Sequence, residues 1–351
     1  MILNLHDPYI SHSVVYANIF SVLDINENTL PWIFDNCMKV FSSFSIAGPL
    51  AEYGIYSFTN LFFAGASSYI EMFQNCPFIK NNIYDLVALH RYETDTIRIL
   101  KDFIDSKGYI LANVNMKCIE KYHTVNELVH AMFIYGYDDK SKQFYVADFF
   151  GADGPKYQRT LVPFRQVAKG IEKATLIVDP VGDYIRGIQV WHKQDMPYNI
   201  YYGQPDTTYT KNMIKNNINW LLTNHEQIHS YNTGFEIATG VYVYKQVMQS
   251  LQYAYVENIQ YDFKPLDCLM AHKKIMNLAI SFLIQEQLCD HTFLTTYDKI
   301  FSLCEEARNM TIKCRLVPVA KREELMKRIF DKLEQCKALE IDVLHAIADS
   351  L

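Results

Sequence analysis

The chain has 351 residues, of which half are apolar and 21% are charged, a composition typical of a globular protein with a substantial core. A net charge of −6 and a pI near 6.0 argue against a nucleic-acid-binding protein, which would usually show a basic stripe. The sequence contains neither a signal-peptide pattern nor a run of about 18 apolar residues that would predict a membrane span.

The cysteines are scattered along the chain, without the paired spacing of zinc sites or disulfide frameworks. They stand at positions 37, 76, 118, 268, 289, 304, 314 and 336. The simplest interpretation is a cytoplasmic protein whose thiols stay reduced and mostly buried.

The first half of the chain carries mixed α and β signals. An apolar segment predicts a helix at residues 13–23, and apolar positions at helical spacing predict another at residues 94–106. A short apolar strand follows at residues 109–114. Later in this half, the pattern predicts a short helix at residues 161–170 and a last strand at residues 174–178.

Between these elements, residues 130–148 read as one β-hairpin that starts with His130 and ends with Asp148. With a loop at residues 138–142, Tyr137 faces Gln143, and counting outward brings His130 within about two residues of Asp148. Cross-strand neighbours and diagonals at that spacing are within side-chain reach. A carboxylate beside an imidazole fixes its tautomer and supports its charged form. The pair therefore has the chemistry of the base and orienter of a nucleophilic triad.

A linker that contains Pro197, Gly203 and Pro205 leads into a second half with almost wholly helical periodicity. The predicted helices span residues 211–222, 239–254, 265–288, 293–310 and 321–351. We expect them to form a helical bundle or layer, which in such proteins often supplies a lid or an oligomer interface.

A histidine–aspartate pair needs a nucleophile, and papain-like folds place theirs at the N-terminus of the first long helix. At that position the helix dipole and free amides stabilise an anionic sulfur or an oxyanion. In this chain, residues 9–13 lead into the first predicted helix. They include Ser11 and Ser13 but no cysteine.

These segments resemble the butirosin-biosynthesis acyltransferase family (BtrH-type), an offshoot of the papain-like peptidases. Ser11, Ser13 and Asn18 fit the spacing of its opening motif, whose first residue is a cysteine. His130 and the residues after it fit the base segment of the family, and residues 145–148 fit its orienter. Two further segments of the first half match the family, the glycine-led strand at 108–116 and the helix at 161–168. Three segments of the helical half resemble the second domain that these proteins have in antibiotic and nonribosomal-peptide clusters, namely 261–266, 272–276 and 307–313.

The resemblance implies an α+β fold with a papain-like domain at residues 1–182 and a mostly α-helical domain at residues 205–351. It also implies an acyltransferase of specialised metabolism, in which Ser11 attacks an acyl thioester, His130 takes the proton and Asp148 orients His130. The acyl group arrives on the phosphopantetheine arm of an acyl or peptidyl carrier protein and leaves on a small-molecule amine. No metal, ATP or other cofactor is implied.

Papain-like enzymes also place an oxyanion donor a few residues before the nucleophile. In this chain Asn4 and His6 stand there, and either is a candidate for that role. Alternatively, both residues are ordinary exposed polar groups near the N-terminus.

Position 11 departs from the family, because a serine stands where the family has its cysteine. Ser11 is either a working nucleophile, or a replacement of cysteine made to trap a complex, or the mark of a non-catalytic relative. A fourth alternative moves the nucleophile to Ser13 or Cys37, although Cys37 reads more simply as a buried thiol in a second helix. A serine hydroxyl is far harder to deprotonate than a thiol, so a simple exchange normally abolishes activity.

Two other classes of function stay open. The first is a peptidase with the same triad, and the second is a non-catalytic partner in a biosynthetic cluster. We expect no nucleic-acid or membrane partner, and a homodimer is left open.

Other polar groups have simpler interpretations. Asp138 and Asp139 read as turn residues. His272 and the two lysines after it read as a solvated or interfacial helix face, with a phosphate or carrier-arm contact as the alternative. His225 and His229 have a spacing that could bind a metal, but no third ligand is evident, so an exposed helix face is the simpler interpretation.

Overall fold

The computed structural model describes residues 1–45, 58–63, 76–151, 156–174, 187–194, 207–223, 236–259 and 261–351, which form an α+β protein. Its helices are α1 (Val14–Val22), α2 (Leu30–Cys37), α3 (Leu86–Leu89), α4 (Thr96–Asp105), α5 (Phe164–Ala174), α6 (Thr207–Leu222), α7 (Val243–Val256), α8 (Lys264–Gln285), α9 (Thr292–Leu316) and α10 (Arg322–Ser350). Its strands are β1 (Val40–Ser45), β2 (Phe58–Phe63), β3 (Ile79–Asp85), β4 (Tyr109–Asn115), β5 (Val129–Asp138), β6 (Gln143–Phe150), β7 (Lys156–Pro163), β8 (Gly187–Lys193) and β9 (Glu236–Thr239). None of these helices combines the length and the apolar character needed to cross a membrane.

The chain divides into two compact units. Unit 1 comprises Met1–Ile25 and Tyr69–Gly203, and unit 2 comprises Asn26–Ser68 and Gln204–Leu351. The expected first domain contains residues 1–182, whereas the stretch from Asn26 to Ser68 groups with the C-terminal part. No local pattern signals this exchange, because it arises from contacts between residues far apart in the chain.

Unit 1 is built on a six-stranded antiparallel sheet with the order β3-β8-β4-β5-β6-β7. Strands β4 to β7 follow each other both in the chain and in the sheet, and β8 returns to lie between β3 and β4. Phe133 and Ile134, which are neighbours on β5, are both completely buried. Because adjacent strand residues point to opposite faces, the sheet is covered on both sides at its centre.

The N-terminal residues continue the sheet beside β5. Ile2 forms a bridge with Gly136, and the Tyr137 N–H donates a hydrogen bond to the Met1 carbonyl at 2.8 Å. A β-bulge lies at this point, between Ile134 and Gly136. A Cβ atom on Gly136 would lie 2.9 Å from the Met1 carbonyl oxygen, so this close approach of two backbones requires glycine.

The predicted elements of the first half agree with α1, α4 and β4 within two residues at each end. The helix predicted at residues 161–170 starts too early, because Leu161 pairs with Tyr145 in the β6–β7 ladder and α5 begins only after that strand. The strand predicted at residues 174–178 is wrong at Ala174, which ends α5. The rest of that prediction lies outside the described residues.

Unit 2 contains the predicted helices of the second half as α6 to α10, together with a three-stranded sheet in the order β2-β1-β9. No sheet was predicted from the sequence in this part. The helix predicted at residues 239–254 begins later as α7, because Thr239 pairs with Phe41 of β1. Helix α9 packs along both α8 and α10.

Candidate active site

The loop of the β5–β6 hairpin is one residue shorter than predicted. Asp138 pairs with Gln143, which leaves residues 139–142 in the loop, whereas the sequence analysis paired Tyr137 with Gln143. Asp139 lies in this loop, and Asp138, the last residue of β5, accepts the Lys140 N–H of the loop at 3.0 Å, so the interpretation of both as turn residues is confirmed.

The bulge in β5 restores the predicted register at the far end of the hairpin. It inserts one extra residue into β5, so that beyond it Phe133 pairs with Ala147, the pairing that the predicted register also gives. Continuing this register sets Met132 opposite Asp148 and makes His130 a diagonal neighbour of Asp148. The error in the loop and the unpredicted bulge therefore cancel.

His130 and Asp148 are in direct contact. Nε2 of His130 lies 3.0 Å from Oδ1 of Asp148, the Phe149 N–H donates to Oδ1 at 2.7 Å, and the hydroxyl of Tyr122 donates to Oδ2. Asp148 is completely buried, whereas the side chain of His130 keeps 32% of its exposure and is accessible to a substrate. A carboxylate that receives these donors accepts from His130 as well, so the imidazole donates from Nε2, and its neutral form carries the lone pair on Nδ1. This tautomer is the one that a general base needs here.

Tyr122, which was not singled out from the sequence, lies in a single 3₁₀ turn, Glu120–Tyr122, between β4 and β5. Its buried ring stands edge-on to the imidazole of His130, 5.8 Å between centroids, and 4.9 Å from the ring of Phe150. Burial, together with the Asp148 carboxylate, raises the pKa of Tyr122 well above its ordinary value, so the hydroxyl stays protonated and donates. A tyrosine in a polar connection matches no motif, and only the folding of this turn onto the sheet identifies it.

The two serines at the start of α1 have different environments. Ser13 is the N-cap residue, but its hydroxyl does not cap the helix, and this buried oxygen has no hydrogen-bond partner among the described residues. Ser11 is exposed and precedes the N-cap by two residues. The hydrogen bonds formed within the described parts of the chain include none between either serine and His130. The step from nucleophile to base therefore stays a prediction.

Asn18, the third residue of the opening motif, is completely buried in α1. The Tyr157 hydroxyl donates to Oδ1 of Asn18 at 2.8 Å and lies 3.4 Å from the hydroxyl of Ser21. Tyr157 pairs with Phe149 in the β6–β7 ladder, so its side chain points to the face opposite to that of Asp148. This contact of α1 with the sheet thus lies on the other face from the carboxylate.

His12, between the two serines, was not singled out from the sequence. Its ring nitrogens are buried, and its ring stacks on Tyr16 with 4.5 Å between centroids. Burial lowers the pKa of His12 to about 3. The imidazole next to both candidate nucleophiles is therefore neutral near pH 7.

The two oxyanion candidates have other partners. Nε2 of His6 lies 2.7 Å from a carboxylate oxygen of Asp24, and the backbone carbonyl of Asn4 accepts a hydrogen bond from the Tyr109 hydroxyl at 2.6 Å. Neither contact joins these residues to His130. Their role as oxyanion donors stays a prediction.

In unit 2, the prediction of a solvated or interfacial helix face at His272 and the two lysines after it is wrong for His272 and Lys273, which lie inside the unit. His272 and Lys273 are each 1% exposed. Nζ of Lys273 lies 2.6 Å from both carboxylate oxygens of Glu340 on α10 and donates to Nδ1 of His272 at 3.0 Å. The hydroxyls of Tyr244 and Tyr297 donate to the same carboxylate at 2.8 and 3.3 Å. This buried network leaves neither His272 nor Lys273 exposed for a phosphate or carrier-arm contact, which was the alternative interpretation.

Cys37 ends α2 in unit 2 and is completely buried, as predicted for a structural thiol. His225 and His229 lie outside the described residues. In the described part of the chain, no group of three or more histidine, cysteine or carboxylate side chains is placed to bind a metal ion.

Comparison with known proteins adds no assignment to this geometry. No protein-family model matches the chain, and a search of the curated proteins gives no match.

Proposed function

We propose that this protein is a papain-like acyltransferase in which His130 acts as the general base. The observation that supports the proposal is the hydrogen bond from Nε2 of His130 to the buried Asp148, which leaves the lone pair on Nδ1 of a half-exposed ring. The resemblance of residues 130–148 to the butirosin-biosynthesis acyltransferase family gives this base its proposed reaction, acyl transfer from a carrier-protein thioester to an amine.

The reaction has two halves. In the first, the hydroxyl of Ser11 attacks the thioester carbonyl, and Nδ1 of His130 takes its proton. The C–S bond breaks, and the phosphopantetheine sulfur leaves as a thiol with that proton. In the second half, an amine attacks the resulting ester, and His130 returns the amine's proton to the oxygen of Ser11. The thioester supplies the driving force, so the cycle consumes no ATP.

Asp148 supports both halves. While His130 carries the extra proton, the buried carboxylate stabilises the imidazolium and fixes the direction of its ring. Because Asp148 already has hydrogen bonds from the Phe149 N–H and the Tyr122 hydroxyl, it does not have to move when the proton arrives.

A non-catalytic role is the second candidate, and the environment of Ser11 favours it. Ser11 is exposed and shares no hydrogen bond with His130 in the described part of the chain. In that case the protein binds an acyl carrier or a peptide in a biosynthetic cluster, and the His130–Asp148 pair is retained without turnover.

The test is an assay with acyl-pantetheine thioesters, loaded carrier protein and a panel of amines, with products detected by mass spectrometry. We expect amide formation that falls by about 10⁴-fold in His130→Gln. His345→Gln, which removes an exposed histidine of α10, is the matched control and should keep full activity.

The other outcomes separate the alternatives. Cleavage of peptide substrates without any amide product would assign the same pair to a peptidase. Binding of loaded carrier protein without turnover, in the natural chain and in Ser11→Cys alike, would support the non-catalytic role and contradict the acyltransferase.

A further inference from the structure

Tyr122 contacts both members of the proposed base pair. Its hydroxyl donates to Oδ2 of Asp148, on the carboxylate whose Oδ1 faces His130, and its ring contacts the imidazole almost at a right angle, with 5.8 Å between centroids. The ring is also packed against Phe150, the residue two positions after Asp148 on the same strand. One side chain thus supplies a hydrogen bond to the carboxylate and an apolar cover for the ring.

The surrounding structure fixes this turn in place. The Glu120 N–H donates to the side chain of Gln166 on α5 at 3.2 Å, which attaches the 3₁₀ turn to that helix. On the same helix, a Cβ atom at Gly170 would lie 3.3 Å from Cβ of Val114 and 3.4 Å from Cδ1 of Ile119, so α5 packs closely on the connection after β4. The position of Tyr122 is therefore determined by packing and is not that of a free loop.

We propose that Tyr122 is a positioning residue, whose hydroxyl orients the Asp148 carboxylate towards His130 and limits how strongly that carboxylate attracts the imidazolium. The catalytic consequence rests on the proposed function, whereas the effect on His130 itself does not. The titratable groups that the described contacts bring to His130 are Asp148 from β6 and Tyr122 from the 3₁₀ turn. Its pairing partner on β4, Val114, carries no titratable group.

The direction of the effect follows from the hydrogen bond. A donor to Oδ2 draws negative charge away from the side of the carboxylate that faces His130. Without the hydroxyl, Asp148 binds the charged imidazole more strongly, and His130 keeps its proton to higher pH. A base that releases its proton less readily is slower to return it to the leaving group.

The experiment follows the titration of His130 by NMR in isotope-labelled protein, with the signal assigned by His130→Gln. In Tyr122→Phe, which keeps the ring and removes the hydroxyl, the midpoint should rise by about one pH unit. Tyr137→Phe is the matched control, since Tyr137 lies on the same strand as His130 and also donates to a carboxylate, that of Asp105 at 2.8 Å. It should leave the midpoint unchanged.

A midpoint that stays the same or falls in Tyr122→Phe would overturn the proposal. If that variant does not fold, replacement of Tyr122 by 3-fluorotyrosine decides, because a more acidic phenol is a stronger donor and should lower the midpoint. An unchanged midpoint in the fluorinated protein would overturn the proposal equally.

The kinetic readout separates this inference from the proposed function. In the acyl-transfer assay, Tyr122→Phe should lower kcat and leave KM unchanged, since the hydroxyl contacts no substrate. A shifted midpoint in a protein that forms no amide would support the role of Tyr122 and reject the acyltransferase. Amide formation with an unshifted midpoint would do the reverse.

Discussion

Nε2 of His130 lies 3.0 Å from Oδ1 of Asp148. Solvent reaches the imidazole, whereas the carboxylate is completely buried. In Asp148→Asn the side chain keeps its shape, but the negative charge that stabilises the imidazolium is lost. We expect acyl transfer to fall by on the order of 10⁴-fold and the titration midpoint of His130 to fall as well. Product formation by mass spectrometry and NMR titration measure the two effects. Full activity in Asp148→Asn would remove the pair from the mechanism.

The position of the nucleophile is tested by exchanging each serine for cysteine. A thiol that shares a proton with His130 ionises below its ordinary pKa of about 8.5 and reacts with iodoacetamide near neutral pH. We expect rapid alkylation in Ser11→Cys, which a second change, His130→Gln, slows. In Ser13→Cys alkylation should be slow, because the Ser13 oxygen is buried. Peptide mapping distinguishes the new thiol from the natural cysteines.

The opposite result is equally informative. Rapid, His130-dependent alkylation of Ser13→Cys would identify Ser13 as the nucleophile. Ser11 would then be a residue near the site without a part in the reaction. Slow alkylation of both variants would show that neither serine reaches His130, and the non-catalytic role would then be favoured.

Some of the fold could be predicted because its signals are local. Periodicity located α8 and α10, and the run from His130 to Asp148 contains the alternation and the turn residues of a hairpin. The contact between His130 and Asp148 followed from counting along two strands. The bulge between Ile134 and Gly136 could not be predicted, since no local pattern marks it and the N-terminal residues that pair beside it lie more than 130 positions away in the chain.

The rest depends on contacts between distant residues. Strand β1 enters the sheet of unit 2 because Phe41 pairs with Thr239, almost 200 residues later, and no window of sequence contains both. Lys273 was predicted to be exposed because lysines usually are. Its burial depends on the carboxylate of Glu340, 67 residues further along the chain. Tyr122 could not be identified from the sequence either, because its hydroxyl contacts Asp148, 26 residues later, only in the folded protein.

The buried pair of Lys273 and Glu340 is expected to be costly to break. Burial alone would raise the pKa of Glu340, but the Lys273 ammonium lowers it below its ordinary value, so the pair is ionised. Lys273→Met leaves a buried charge without its partner and should cost about 3–5 kcal/mol in free energy of unfolding. Denaturant unfolding measures this cost.

Two further variants complete that experiment. Lys274→Met removes the exposed neighbouring lysine and should change the free energy of unfolding by less than about 0.5 kcal/mol. The double variant of Lys273→Met and Glu340→Gln should cost less than the sum of the two single changes, because it removes both charges. Equal costs for Lys273→Met and Lys274→Met would contradict the pairing.

The buried His272 predicts how stability depends on pH. Burial, with a further contribution from the Lys273 ammonium, lowers the pKa of His272 from 6.5 to about 3. Below pH 6.5, His272 of the unfolded chain therefore binds a proton, whereas His272 of the folded protein stays neutral. The stability that is present above pH 6.5 is lost as the pH falls towards about 3. The slope for this one group approaches about 1.4 kcal/mol per pH unit.

The matched variant is His272→Gln, which cannot titrate and still offers a donor to the Met38 carbonyl, the group that accepts from Nε2 of His272 at 2.7 Å. Denaturant unfolding between about pH 5 and about pH 7 avoids most carboxylate titration. As the pH falls over that range, the free energy of unfolding of the natural chain should decrease more steeply than that of His272→Gln. The difference between the two slopes should correspond to the uptake of one proton. His12, whose pKa burial also lowers to about 3, adds a second proton to the slope of both proteins and so does not affect the difference. Parallel slopes would mean that His272 is charged in the folded protein, and its contacts with Lys273 and Met38 would have to be assigned again.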